Sequence, residues 1–216
     1  GVLAAGIIAP LVFPDYWEFP LGVAFSIALA IWILPVSFFP RILDTHRILI
    51  TKLIFILIVI SVFFRFFVGE EEMPAIETRN FYGNAEVVFR TEATLLMNGT
   101  TLHGMQSTDN AEVRLPTTYY TPGSGIGRAL IYARGAQGGG PINVGVVGLG
   151  TGTIAAYCAP DDTYVFYEID SRIERIARSY FSYLSHCEGS EVRIGDGRIL
   201  LEAERENGNK GEYDVL

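Results

Sequence analysis

The fold of this 216-residue chain is decided by residues 144–153, Val-Gly-Val-Val-Gly-Leu-Gly-Thr-Gly-Thr. The apolar start of this stretch predicts a buried parallel strand, which Gly148, Gly150 and Gly152 then break before a helix-compatible run. Glycine suits such a turn because it adopts positive φ and lets a ligand approach the main chain. The stretch therefore predicts a strand, a glycine loop and a helix N-terminus that together hold a nucleoside-type cofactor.

Beyond this loop, strand and helix patterns alternate along the chain. Residues 164–167 and 191–194 predict two further strands, and residues 213–216 predict the start of a fourth. Apolar residues recur at helical spacing between Ile173 and Leu184. Such alternation produces a parallel sheet with crossover helices, whose ligands bind outside the carboxyl ends of the strands. We therefore predict an α/β fold with a Rossmann-like sheet over residues 142–216.

Residues 78–141 show the pattern of an antiparallel sheet instead. Residues 85–90 and 93–97 read as strands, Asn98-Gly99 is a strong two-residue hairpin signal, and residues 100–106 return. We predict a small antiparallel β subdomain, followed by a connecting helix that leads to the glycine loop.

The first 68 residues are strongly apolar. Residues 19–39 carry no charge, and residues 53–68 are interrupted only by Arg65 near their end. Since about 20 apolar residues cross a bilayer as a helix, both runs predict transmembrane helices. Residues 69–77 then form a charged linker. We also expect the chain to be a fragment, because it lacks an initiator Met and stops within a predicted strand.

Charge and cysteine content exclude several classes of function. The net charge is −8, and the excess of acidic residues follows residue 68, which argues against a nucleic-acid partner. Cys158 and Cys187 have neither the number nor the spacing of a disulfide framework, so we expect both to pack in the core. His46, His103 and His186 show no metal-ligand spacing, and no metal is expected.

Acidic side chains follow the second and third predicted strands. Glu168, the first residue of Glu168-Ile169-Asp170, lies 20 residues after Gly148, where a carboxylate can accept hydrogen bonds from both ribose hydroxyls. Asp196, in Gly195-Asp196-Gly197, can accept one from the exocyclic amine of adenine. Alternatively, Glu168 is a solvated strand end and Asp196 an ordinary N-cap. Their order beside the glycine loop favours a nucleoside-cofactor site.

The spacing of the glycine loop indicates the class of cofactor. Thr153 stands where the dinucleotide fingerprint has Gly or Ala, which argues against a dinucleotide. Together with its acidic strand ends, the chain resembles the S-adenosylmethionine-dependent methyltransferase fold, and more closely its spermidine synthase (polyamine aminopropyltransferase) branch. The latter resemblance covers roughly residues 78–216. It is carried by Asn98-Gly99, His103-Gly104-Met105-Gln106, Thr118-Tyr119-Tyr120, Glu168-Ile169-Asp170, Gly195-Asp196-Gly197 and Tyr213-Asp214-Val215-Leu216.

This resemblance implies an enzyme that moves an aminopropyl group from decarboxylated S-adenosylmethionine to an amine acceptor in polyamine biosynthesis. The glycine loop would hold the nucleoside, Glu168 the ribose and Asp196 the adenine. The cofactor-binding candidates are Gly148, Gly150, Gly152, Glu168, Asp170, Asp196 and Gly197. The substrate candidates are His103, Gln106, Tyr119 and Tyr120, for which hairpin and interface packing is the alternative reading. The catalytic aspartate of the family is expected beyond Leu216.

The chain departs from the family on the acceptor side. If Tyr119 matches the family's tyrosine, Leu115-Pro116 and Thr121 stand where the family has acids that hold a cationic diamine. An acceptor other than putrescine is therefore left open. Two other functions also stay open: methyl transfer from S-adenosylmethionine itself, and nucleoside or polyamine binding without turnover by a membrane protein.

The whole chain resembles bacterial membrane proteins in which several spans are fused to a spermidine-synthase-like domain. We therefore expect it in the cytoplasmic (inner) membrane, with the globular domain in the cytoplasm. Basic residues between the two apolar runs place that connection in the cytoplasm as well, which conflicts with this topology if residues 53–68 cross completely. A small-molecule amine and membrane lipid are the expected partners, and a homodimer is left open.

Overall fold

The computed structural model describes residues 22–26, 29, 50, 54–59, 61, 76–208 and 213–216. The chain divides into two compact units, Gly1–Glu71 with Thr78–Phe81, and Glu72–Glu77 with Tyr82–Leu216. The predicted glycine loop, the acidic strand ends and the substrate candidates all belong to the second unit.

The prediction of N-terminal transmembrane helices, and with it the inner-membrane location, is wrong for the described part of the chain. No helix there is long and apolar enough to cross a membrane, since a crossing needs about 20 residues. Residues 22–26 and 54–59 are helical. Most of the remaining residues of 19–39 and 53–68, and residues 69–75 of the linker, lie outside the described residues.

The antiparallel sheet that the alternating pattern predicts is present. Its strands are β1 (Ile76–Asn80), β2 (Gly83–Phe89), β3 (Ala93–Asn98) and β4 (Thr101–Ser107), in the order β1-β2-β3-β4. The turn is displaced by one residue from the Asn98-Gly99 signal, because Asn98 itself pairs with Thr101. The pairing of β3 with β4 passes from Leu96–Gly104 to Met97–Leu102, so that His103 forms a bulge.

Two helical elements connect this sheet to the glycine loop. A short 3-10 helix, η1 (Thr118–Tyr120), is followed by α1 (Gly125–Ala136), whose N-cap Ser124 accepts a hydrogen bond from the Gly127 amide. Leu130 and Ala133 of α1 are buried. The connecting helix is therefore anchored by its cap and by one apolar face.

The parallel sheet is also present, with the predicted alternation. Its strands are β5 (Asn143–Val147), β6 (Thr163–Glu168) and β7 (Ser190–Ile194), in the order β5-β6-β7. Residues 213–216 lie at the other side of β5, where Val215 forms a parallel bridge to Val144. Chain order thus reverses beside β5, and the glycine loop leaves the sheet at this switch point, which is where ligands bind in such folds.

The helical elements between these strands differ in length from the sequence pattern. They are η2 (Thr153–Tyr157), α2 (Ser171–Tyr180), η3 (Leu184–His186) and α3 (Gly197–Glu206). The predicted periodicity ran on to Leu184, but α2 ends at Tyr180 and Phe181 is extended. The amide of Ser182 donates to Gln106 Oε1 at 2.9 Å. A long-range hydrogen bond therefore replaces the helical bond that the pattern favoured.

The core lies between the sheets and their helices, and its largest fully buried side chains include Tyr164, Phe166 and Tyr183. Cys187 is buried as well, as we expected, but it does not merely pack. Cys158 and Cys187 form a disulfide with Cα atoms 5.6 Å apart. The expectation of two unpaired packing cysteines is therefore wrong, because a separation of 29 residues in sequence is brought to bonding distance by the fold.

Candidate nucleoside-binding site

The glycine loop has the backbone conformation that its composition predicts. Gly148, Gly150 and Gly152 have φ values of +92°, +56° and +79°. These values lie where a side chain is disfavoured and glycine is not. The Gly148 amide donates to Tyr167 O at 2.8 Å, so the loop begins as a continuation of the sheet.

The helix that follows this loop is shorter than the usual helix of a nucleotide site. Only the five-residue 3-10 helix η2 follows Gly152. A single short turn sums few peptide dipoles, so its N-terminus adds little attraction for an anion. Binding must therefore depend on the loop backbone and on the side chains around it.

Strand β4 packs directly on the glycine loop. A Cβ on Gly104 would lie 2.7 Å from Thr151 Cγ2, so only glycine allows this approach. Thr151 is 1% exposed, and its hydroxyl forms a 2.6 Å hydrogen bond with that of Thr153. The antiparallel sheet thus forms one wall of the site and fixes the middle of the loop.

The Glu168 carboxylate accepts a hydrogen bond from the glycine loop and still has unused acceptor sites. Its carboxylate is 7% exposed, and Oε2 accepts from the Leu149 amide while Oε1 accepts from the Asp170 amide, both at 2.9 Å. A carboxylate offers about four acceptor sites, so about two remain unused among the described residues. Glu168 is therefore both a support for the glycine loop and an acceptor available to a ligand.

Asp170 is placed differently from Glu168. It is the N-cap of α2, and the Arg172 guanidinium donates to both of its oxygens, with an ion pair of 2.5 Å. Arg172 also donates to Gly83 O at 3.2 Å, which connects α2 to β2. These contacts give Asp170 a structural role in joining the two sheets.

Asp196 lies at the exposed carboxyl end of β7 as the N-cap of α3. Its Oδ1 accepts from the amides of Arg198, at 2.9 Å, and Ile199, at 3.2 Å. Oδ2 has no hydrogen-bond partner among the described residues. The N-cap alternative for Asp196 is confirmed, and the contact of its Oδ2 with adenine stays a prediction.

Gly197 makes the start of α3 fit closely against the sheet. A Cβ there would lie 3.2 Å from Val147 Cγ1 and 3.3 Å from Tyr167 Cβ. Its contribution is therefore to bring the cap residue Asp196 near the end of β5, where the glycine loop begins.

His103 and Tyr119 are brought beside the glycine loop by the β4 bulge. The Tyr119 hydroxyl donates to His103 O at 3.1 Å, and the same carbonyl lies 3.4 Å from where a Cβ on Gly150 would be. The ring of Tyr119 is 54% exposed and its centroid is 4.4 Å from that of Tyr120. The hydroxyl end of the exposed Tyr119 side chain therefore lies near Gly150.

Tyr120 is a poor acid or base for chemistry near neutral pH. Its burial, and then its hydrogen bond with Tyr119, raise its pKa above that of an ordinary tyrosine. The Tyr157 hydroxyl donates to Tyr120 O at 2.5 Å and fixes the backbone there.

Thr118, which directly precedes Tyr119 and Tyr120, has a φ of +55°, and its buried hydroxyl has no partner among the described residues. Such strain is found often at functional sites.

Gln106 is the substrate candidate that the structure places away from the site's open face. It is buried, and its amide donates to Val113 O and Ser182 Oγ at 2.8 Å each while accepting from the Ser182 amide. These bonds match the packing alternative for this residue. They leave it as a connection between β4 and the segment after α2.

Sequence reasoning missed the apolar side chains at the carboxyl ends of the strands. Val147, Ile169 and Ile194 end or follow β5, β6 and β7, and they are 65%, 44% and 44% exposed. Exposed apolar side chains next to acceptors suit a flat nucleobase. The available signal was that Ile169 lies between two acids and Ile194 directly precedes a glycine loop.

A groove of about 390 Å³ lies along α3, and none of the predicted site residues lines it. It is lined by Val147, Arg198, Leu201, Glu202 and Arg205, so it follows α3 from the end of β5.

A search against protein-family models finds no family that matches this chain, and a search of the curated proteins finds no match either.

Proposed function

We propose that the second unit binds an adenine nucleoside over the glycine loop and acts as a transferase. The donor is decarboxylated S-adenosylmethionine, whose aminopropyl group is moved to an amine acceptor. The observation that supports this proposal is the pair of unused acceptor sites on Glu168, which lies buried at the carboxyl end of β6, next to the glycine loop. Its two unused acceptor sites equal in number the two hydroxyls of a ribose.

Three further features support nucleoside binding. Apart from Gly148 and its two chain neighbours, no described atom lies within 4 Å of a Cβ position on Gly148, so a ligand can approach the main chain there. Asp196 Oδ2 is able to accept from the exocyclic amine of adenine. Ile169 and Ile194 offer apolar surface to the base.

The proposed reaction needs an uncharged amine as nucleophile. The amine nitrogen forms a bond to the propyl carbon beside the sulfonium while the carbon–sulfur bond breaks, and methylthioadenosine leaves. The proton that the amine loses passes to a general base, because an ammonium has no lone pair with which to attack. We assign that base to none of the described residues. The raised pKa of Tyr120 also excludes its phenolate from this role near neutral pH.

Methyl transfer from S-adenosylmethionine is the second candidate, favoured by the surroundings of Tyr119. Leu115 and Thr121 are exposed there in positions where a cationic diamine would need carboxylates. A neutral acceptor meets no such requirement. The released product separates the two reactions: methylthioadenosine identifies aminopropyl transfer, and S-adenosylhomocysteine identifies methyl transfer.

Calorimetric titration of the chain with methylthioadenosine, S-adenosylmethionine and its decarboxylated form tests the shared binding step. We expect Glu168→Gln to weaken methylthioadenosine binding about 10- to 100-fold, since hydrogen bonds to a charged group contribute about 1.5–3 kcal/mol. Glu188→Gln is the matched control, because Glu188 is exposed near the opposite, amino end of β7. Binding of none of the three compounds by the parent chain contradicts the proposal.

A further inference from the structure

The Cys158–Cys187 disulfide joins two short helices next to the glycine loop. Cys158 is the C-cap of η2 and Cys187 is the C-cap of η3. Each cysteine amide donates to a carbonyl of its own helix, Ala155 O at 3.1 Å and Leu184 O at 3.2 Å. The bond therefore connects the ends of two otherwise separate turns.

Both of these turns lead back to Gly152. Gly152 is the N-cap of η2, while Leu184, the first residue of η3, packs against it, with Cγ 3.2 Å from a Cβ position on Gly152. A closed circuit thus runs from Gly152 through η2, the disulfide and η3 to the Leu184 contact. The last glycine of the loop is held from both sides by this circuit.

The circuit matters because its members have little stability of their own. A 3-10 helix has poor hydrogen-bond geometry and is rarely longer than three or four residues. Gly152 has no side chain with which to cap η2, and its φ of +79° is one of many conformations open to glycine. A covalent bond six residues away limits the conformations that this end of the loop can reach.

We propose that the disulfide is a redox-sensitive brace of the nucleoside site. In the oxidised chain it keeps the glycine loop in the conformation that binds the nucleoside. Reduction by a dithiol releases η2 from η3, so the loop must be ordered again each time a ligand binds, and affinity falls. This inference rests on the proposed nucleoside site, although the loosening of the loop itself does not.

The exposure of the two cysteines determines how reduction proceeds. Cys187 is 2% exposed, whereas Cys158 is a partly exposed residue, so we expect a dithiol to attack at Cys158. A thiolate of the dithiol forms a mixed disulfide with Cys158, and Cys187 leaves as a thiolate that takes up a proton. The second thiol of the reagent then closes a cyclic disulfide and releases Cys158. Two electrons and two protons pass from the dithiol to the protein.

The test compares methylthioadenosine affinity of the full chain before and after treatment with dithiothreitol, with thiol alkylation and mass measurement to confirm each state. We expect reduction to raise Kd about tenfold, the scale of effect that ordering a mobile loop has on binding. Amide hydrogen exchange should become faster in residues 148–157 and stay slow in β5 and β6. In the Cys158→Ala/Cys187→Ala variant, dithiothreitol should change neither quantity.

Each contrary result has a separate meaning. Equal affinity in both redox states, with equal exchange in residues 148–157, overturns the brace. Loss of protection throughout β5 and β6 on reduction also overturns it, because the bond then supports the whole fold. If the oxidised chain does not bind methylthioadenosine, the proposed function fails, and the exchange of residues 148–157 alone decides whether the brace exists.

Discussion

Strand β6 carries a buried carboxylate at each end, and the two are used differently. Asp162 immediately precedes Thr163, the first residue of the strand, and Glu168 is its last residue. Asp162 is 3% exposed and Glu168 is 7% exposed. They differ in how many of their acceptor sites the protein itself occupies.

Asp162 is saturated by its protein partners. Arg134 donates to both oxygens, the Ile142 amide donates to Oδ1 at 2.9 Å, and the Ala159 amide donates to Oδ2 at 2.7 Å. These bonds account for about all four acceptor sites of a carboxylate. Burial alone would raise the pKa of Asp162, but the hydrogen bonds from Arg134 and the two amides outweigh it and lower that pKa.

Glu168 accepts from two backbone amides and pairs with no Lys or Arg in the described part of the chain. Because protein donors occupy all the acceptor sites of Asp162, we interpret it as a support of the fold. Glu168 has unoccupied acceptor sites and lies at the sheet edge where this fold class binds ligands. Burial alone does not distinguish these two carboxylates, whereas the number of their hydrogen bonds does.

The largest expected effect is on stability, from Asp162→Ala. It removes the carboxylate partner of Arg134 and the acceptor of two backbone amides, which should cost about 3–5 kcal/mol of unfolding free energy. Urea denaturation followed by circular dichroism measures it. If Asp162 supports only the fold, the fraction that stays folded should bind methylthioadenosine as the parent does. A tenfold change in the methylthioadenosine Kd of that folded fraction would contradict a role of Asp162 in the fold alone.

Acid should remove part of the same stabilisation without a mutation. The pKa of Asp162 is lower in the folded chain than its unfolded value of about 4, so its contribution is complete above that pH and is lost as pH falls through the folded pKa. We expect the urea midpoint of the parent to drop below about pH 4. An Asp162→Asn variant should lose this component of the pH dependence. An unchanged acid slope in that variant would assign the effect to other carboxylates.

Gly104→Ala tests the contact between β4 and the glycine loop. The added Cβ would overlap the Thr151 side chain, and such overpacking costs about 1–3 kcal/mol. We expect lower stability by thermal unfolding and weaker methylthioadenosine binding. Gly123→Ala is the control, since nothing lies within 4 Å of its Cβ position in the described structure. Combination with Thr151→Ala should restore stability, and failure to do so would remove the Gly104–Thr151 contact as the cause.

Asp196→Asn should have the smallest effect and the most specific one. Asn caps a helix as well as Asp does, so α3 should stay intact, while an amide NH₂ in place of the free oxygen opposes the exocyclic amine of adenine. We expect about a tenfold rise in Kd for methylthioadenosine, or about 1.4 kcal/mol, in calorimetry. A nucleoside analogue with inosine in place of adenosine should lose less affinity on this substitution. Equal losses for both would reject the contact with adenine.

Local patterns in the sequence predicted much of this architecture. Three closely spaced glycines predicted a turn with positive φ, and all three glycines of the loop have it. Strands β5 and β6 follow from short apolar runs, and the alternating residues 191–194 predicted β7 after a helical pattern. Glu168 could be placed at the ligand end because the carboxyl ends of parallel strands meet at one edge of a sheet.

Other features could not be read from the sequence because their causes lie far away in the chain. α2 ends early since Ser182 bonds to Gln106, 76 residues before it. Asp170 and Glu168 look alike in sequence, yet Arg172 occupies only the first. The membrane spans were predicted from hydropathy alone, and the described residues contain no helix that meets the length and apolarity required.

The sequence by itself determined the glycine loop, the alternation of strands and helices, and the acids at the strand ends, because each depends on neighbouring residues and a repeat period. Only the tertiary structure decided which of those acids keeps acceptor sites for a ligand. It also decided that Cys158 meets Cys187 and that a bulge at His103 brings Tyr119 to the loop. These outcomes depend on which distant groups reach each other, and hydrogen-bond saturation is a property of that whole arrangement.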